Sequence, residues 1–99
     1  MGRVVNQLEL TASIAEIDAL RYTPSGVPAL NVQLEHDSEV LEAGQARQAK
    51  VSIKSVAFGT VAERLARQAI GSNWYFKGFL ATPRGAKRVV FHIQEFATD

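Results

Sequence analysis

The stretch Asn73-Trp74-Tyr75-Phe76-Lys77-Gly78-Phe79-Leu80, followed through Ala81-Thr82-Pro83-Arg84-Gly85-Ala86-Lys87-Arg88 by Val89-Val90-Phe91-His92-Ile93, decides the fold. In the first run Trp74 and Phe76 share one face and Tyr75 and Lys77 the other, the period of a strand with one buried side. The second run alternates Val89, Phe91 and Ile93 with Val90, His92 and Gln94. Between them the charges are Arg84, Lys87 and Arg88, all positive. Two stiff strands therefore carry a short cationic finger, and Gly78 marks a place where a barrel strand bends sharply.

Upstream, Leu8, Leu10, Ala12 and Ile14 alternate with Gln7, Glu9, Thr11 and Ser13. This predicts a first strand over 7–17, with a bulge or bend near Ala15 where the parity breaks. Thr23-Pro24-Ser25-Gly26-Val27-Pro28 predicts a turn, since proline fixes φ and glycine supplies conformations that other residues avoid. A second strand follows, with Leu30, Val32 and Leu34 on one face and Asn31, Gln33 and Glu35 on the other. The polar run 37–46, with Gly44 inside it, predicts a mobile loop. A third strand over 47–56 is expected to turn Ala49, Val51 and Ile53 to the core and Arg47, Lys50 and Lys54 outward.

Thr60 and Glu63 match a capping box, and Val61, Ala62, Leu65, Ala66 and Ala69 form an apolar stripe that Gly71 ends. One helix of about three turns is predicted there. The whole reads as an all-β protein, a five-stranded Greek-key barrel with one short helix between strands 3 and 4. That is the layout of the OB-fold, whose loops bind oligonucleotides in many proteins.

With 99 residues, 46% of them hydrophobic, residues 1–99 make a single domain with one modest core. The absence of cysteine excludes a disulfide framework and a thiol nucleophile and is compatible with a reducing cytoplasm. No run approaches the ~20 apolar residues of a membrane span, and the first residues lack a signal-peptide core, so a cytoplasmic protein with no membrane partner is expected. Formal net charge is only +1. Yet residues 1–42 hold seven acids against two bases, and residues 43–99 nine bases against three acids. Such asymmetry points to a polyanionic partner, or to a surface that is merely uneven.

Catalysis finds little support. In Glu35-His36-Asp37 a strand would point the imidazole away from both carboxylates, so a metal site is not expected and His36 and His92 read as surface polar residues. Ser25-Gly26 has no adjacent histidine, and no phosphate loop occurs. An enzyme is not expected, nor is a cofactor. Single-strand binders instead combine a cationic groove with aromatic platforms. Candidate groove residues are Arg47, Lys50, Lys54, Lys77, Arg84, Lys87 and Arg88, with Arg21 in the first loop. Trp74 and Phe76 read as core, and Phe58, Phe79, Phe91 and Phe96 show no outward stripe. Tyr22 and Tyr75 are left as stacking candidates, each equally readable as a surface or subunit-contact tyrosine.

The segments Asn6-Gln7-Leu8-Glu9-Leu10, Tyr22-Thr23-Pro24-Ser25-Gly26-Val27-Pro28, Leu34-Glu35-His36, Glu42-Ala43-Gly44 with Arg47-Gln48-Ala49, and Gly78-Phe79 to Val90-Phe91-His92 resemble the primosomal replication protein N (PriB) family. The likeness spans nearly the whole chain. It implies a bacterial homodimeric OB-fold protein, akin to the single-stranded DNA-binding protein, that binds single-stranded DNA. It also implies work beside the replication restart helicase PriA and a primosomal loader protein. In the family, contacts come from strands two and three, a strand-three tryptophan and lysines of the loop joining strands four and five. Arg47 matches a basic position after the Glu-Ala-Gly motif, and Arg84, Lys87 and Arg88 fall in the matching loop. The tryptophan position is Lys50, an aromatic before Arg47 is Gln45, and a base after Leu-Glu-His is Asp37. Losing one stacking side chain forfeits about 1 to 3 kcal/mol per base, so weaker and more salt-sensitive binding is expected.

Two other functions fit the same residues. One is an interaction barrel whose basic loop meets an acidic protein. The other is a general single-stranded DNA-binding protein, against which the lack of a long acidic tail after Phe96 counts.

Overall fold

The computed structural model describes residues 2–98. Chain order is β1 (Leu8–Ile17), β2 (Arg21–Tyr22), β3 (Pro28–Glu42), β4 (Gln45–Phe58), α1 (Thr60–Leu65), β5 (Asn73–Ala81) and β6 (Val90–Ala97). Strands run β1-β5-β6-β4-β3-β2 and β1 also pairs with β3, closing five of them into a barrel. This is the OB-fold barrel, with its helix between β4 and β5; the two-residue β2 only extends the edge of β3. Among the described residues only the β4–β6 pairing is parallel.

Alternating apolar residues fill the barrel. Ile14, Leu30, Leu34, Leu65, Phe76 and Phe91 are fully buried, each such side chain worth roughly 1.5–3 kcal/mol of transfer free energy. Trp74 packs against this cluster, edge-on to Phe96 at 5.2 Å, and its indole N–H donates to Ser72 Oγ at 2.9 Å. The core reading of Trp74 and Phe76 holds. The guanidinium of Arg64 covers the Phe96 ring at 4.8 Å.

Two bulges tune the closure. Ala15 is skipped between the pairs Ile14–Leu34 and Glu16–Gln33, where the broken parity had placed it. Gln94 is skipped between Lys77–Glu95 and Gly78–Ile93. That extra residue resets the phase of β6, so Phe91, Ile93 and Phe96 all point inward. At Gly78 the backbones come so close that an added Cβ would lie 1.7 Å from the His92 carbonyl oxygen. The Asn6 side chain donates to Leu80 O at 2.7 Å and accepts from Leu80 N–H at 3.0 Å, copying one rung of a ladder at the root of the finger.

Three expectations change. The 37–46 segment is not a loop: β3 and β4 continue as a paired arm to Glu42–Gln45, closed by Ala43 (φ 52°) and Gly44 (φ 78°). Two positive φ values in a two-residue connection are the pattern of a type I′ hairpin, which suits the twist of the strands and overrides local polarity. β1 pairs with β3 only as far as Glu35, so the arm leaves the barrel. Val51 is therefore exposed and Ala49 half-buried, and neither reaches the core.

The helix is six residues long, not three turns, and its N-cap is Gly59 with no side-chain cap. Arg67 and Gln68 then bond three residues back, to Arg64 and Leu65, which tightens the coil and ends the helix early. Gly71 N–H donates to Ile14 O at 2.7 Å, seating the segment on β1.

Candidate nucleic-acid interface

The finger is the β5–β6 connection, residues 82–89, exposed throughout. Its tip is a turn in which Ala86 N–H donates to Pro83 O at 3.0 Å and Gly85 takes a φ of 80°. It overhangs the outward face of β4. Between them lie two adjoining hollows of about 810 and 1050 Å3, which share Gln33, Lys54, Pro83 and Val90. The first adds Arg21, Phe58 and His92, and the second adds Lys87 and Arg88. Four cations from β2, β4 and the finger thus surround one continuous groove with an apolar floor.

The other expected residues lie elsewhere. Arg84 stands exposed in the finger's turn, outside both hollows. Tyr22 is 63% exposed beside Arg21, paired with Pro28. Arg47 and Lys50 cannot both face outward with Lys54, because positions three apart in an unbroken strand point oppositely. Arg47 has the parity of Ala49 and Val51 and pairs with Glu42 at 2.9 Å. Lys50 shares the parity of Lys54 but lies opposite Asp37, in a separate hollow of about 590 Å3 with Glu35 and His36.

Tyr75 and Lys77 face outward from β5 into acidic surroundings. Lys77 sits between Glu9 on β1 and Glu95 on β6. The Tyr75 phenol donates to the Glu9 carboxylate. That hydrogen bond, with burial and then the charges of Glu9 and Glu95, pushes the phenol up to about 12. Neither residue joins the groove.

Folding cancels part of the charge asymmetry between chain halves. β3 and β4 zip the acidic half against the basic half, setting Asp37 opposite Lys50 and Glu42 against Arg47. Gln48 adds an amide donor to Asp37. At the groove, cationic character is left at the finger, while the Arg21–Lys54 wall also carries Glu16 and Asp18.

Sequence reasoning missed an aromatic row. On the outward face Phe79 stacks on His92, with ring centroids 4.7 Å apart, and Phe58 stacks on the same imidazole at 6.1 Å. Phe58 remains 44% exposed. The signal was present: Phe79 has the parity of Tyr75 and Lys77, and Phe58 that of Lys54, once β4 is run to its true end. His36 is not a surface residue at a strand end. It lies within β3, half-buried, where Nδ1–H donates to Thr11 O at 2.5 Å and Nε2 accepts from Ser38 Oγ at 2.7 Å. Among the described residues no three His, Cys, Asp or Glu side chains are grouped to hold a metal, and no helix is long and apolar enough to cross a membrane.

A family model described as another single-strand binding protein family matches residues 6–95. The replication restart protein PriB of Bordetella pertussis is 42% identical over 92 residues, covering 92% of this chain and 86% of that protein. The solved structure of PriB from Ralstonia solanacearum superposes with a TM-score of 0.88 at 38% identity, covering 96% and 98% of the two chains. The wild-type single-stranded DNA binding protein from Thermus aquaticus superposes at 0.76 with 23% identity, over 97% of this chain and 50% of that one, a likeness of fold alone. The chain belongs to the PriB family of replication restart proteins.

Proposed function

We propose that this member of the PriB family binds single-stranded DNA, gripping it chiefly by the backbone, as an accessory of replication restart. The observation that carries the reading is the continuity of the groove: Arg21 and Lys54 on one side, Lys87 and Arg88 on the other, and an apolar floor between. Phosphates track the cations while bases lie on the floor, the arrangement that single-strand binders use. Arg84 meets the strand as it leaves the finger. Lys50 is an outlying contact, and Arg47, Tyr22, Tyr75 and Lys77 are peripheral to this path.

The protein works in the bacterial cytoplasm as a homodimer, which doubles the groove and raises avidity along one strand. Its downstream effect is to stimulate the restart helicase PriA and to hand the strand to the loader protein. Binding, not catalysis, is the activity.

Fluorescence anisotropy of a labelled oligonucleotide across a salt series tests the core of this reading. With the four groove cations and Arg84 each on a phosphate, log Kobs against log salt falls with a slope of roughly −3.5. A slope near zero, or no binding at low salt, favours the alternative in which the groove takes an acidic protein segment. Sedimentation of the protein with and without the helicase tests the dimer and the partner.

A further inference from the structure

The hollow beside Phe58 has more than a cationic wall. Its lining also includes Glu16, at the end of β1, and Asp18, just beyond it. A phosphate is repelled there, so a strand seated on Lys54 turns a base, not its backbone, toward that end. Phe58 closes the row Phe79–His92–Phe58, and its ring also lines the hollow. A base stacked on Phe58 therefore continues a pile of rings already in register, and its polar edge is carried toward the acids.

The groups waiting for that edge include donors in Arg21, Asn31 and Lys54, but its acidic side offers acceptors. Ionised Glu16 and Asp18 only accept. The Gln33 side chain gives one of its two amide N–H groups to Ser52 Oγ at 2.8 Å, and its carbonyl oxygen makes no side-chain hydrogen bond among the described residues. On the donor side, Arg21 is partly engaged by Asn31 Oδ1 at 3.3 Å. Cytosine presents an exocyclic amine at C4, whereas thymine presents a carbonyl oxygen there and a methyl beside it. A thymine edge would set oxygen against carboxylate.

Resting on the single-strand reading above, we propose that the hollow beside Phe58 is a nucleobase pocket that favours bases carrying an exocyclic amine. Phe58 supplies the stacking face, Lys54 seats the adjoining phosphate, and Glu16, Asp18 and Gln33 accept from the amine. The protein then has a base preference superimposed on a backbone grip.

The test compares labelled oligo(dC), oligo(dT) and oligo(dU) of equal length by anisotropy at mildly alkaline pH, where cytosine stays neutral. Both uracil and thymine lack the amine, and uracil also lacks the methyl, so the trio separates the two groups. The expected result is oligo(dC) bound roughly fivefold more tightly than either, the worth of one net hydrogen bond. In a Glu16→Gln, Asp18→Asn variant both affinities rise as repulsion falls, and the ratio drops to near one because amides turn to donate to a carbonyl. Phe58→Leu weakens both and also lowers the ratio, with folding checked by thermal melting. Equal binding of the three by the natural protein overturns the pocket, as does a ratio unchanged in either variant. Absence of binding to any oligonucleotide at low salt sinks the single-strand reading itself.

Discussion

The imidazole of His92 lies on the ring of Phe79, centroids 4.7 Å apart and planes 13° from parallel, while its backbone carbonyl closes over Gly78 next to it. Side chain and backbone of one residue thus fix both the outward aromatic row and the close approach of β6 to β5.

Gly78→Ala places a methyl against that carbonyl oxygen, a contact no rotamer relieves. The β5–β6 register must open, and we expect a loss of at least about 3 kcal/mol by chemical denaturation, at the upper end for overpacking. A loss under about 1 kcal/mol would show that the strands are not so close.

The Tyr75 phenol gives an alkaline signature. Its pKa is raised in the fold from 10.0 to about 12, so the contribution to stability is intact below pH 10 and is lost as pH climbs through 12. Tyrosinate absorbance should show this late titration, moving back toward 10 in Glu9→Gln. A Tyr75→Phe variant should lack the stability loss in that window; identical pH profiles would disprove the Glu9 link.

Neutralising the finger with Arg84→Gln, Lys87→Gln and Arg88→Gln should weaken oligonucleotide binding by one to two orders of magnitude at low salt and flatten the salt slope by about 2. An unchanged slope with the fold intact would remove the finger from the interface.

By the resemblance drawn from the sequence, Lys50 stands where a stacking tryptophan is expected, and it lies opposite Asp37. Lys50→Trp should tighten single-strand binding by about 1 kcal/mol or more, with the new indole's fluorescence quenched on binding. No gain would mean that the strand passes the arm by.

Ala43 holds a left-handed φ of 52° at the arm's tip, a conformation that costs a side chain about 1–2 kcal/mol. Ala43→Gly should therefore raise the melting temperature slightly or leave it level. A clear fall would mean that the turn is not strained.

Strand-by-strand, the barrel was legible because burial enforces period two: Ile14, Leu34, Phe76 and Phe91 all point where alternation put them. The Ala15 bulge was legible as a parity fault. The arm was not, since outside the barrel no buried face imprints a pattern, and only the Ala43–Gly44 turn betrays it. Thr60 and Glu63 spell a capping box that Gly59 pre-empts. At the site, the finger's bases were readable as isolated charges, whereas the pairing of Arg47 with Glu42 depends on a hairpin that local sequence did not announce. The aromatic row spans three strands that meet only in the fold.

Because the Asn6 amide is tied to both polar groups of Leu80, the segment ahead of β1 acts as a leash on the finger. A bulky fusion joined just before Asn6 would tug on the finger side of the groove, so a reporter there is a perturbation of grip, not a neutral label.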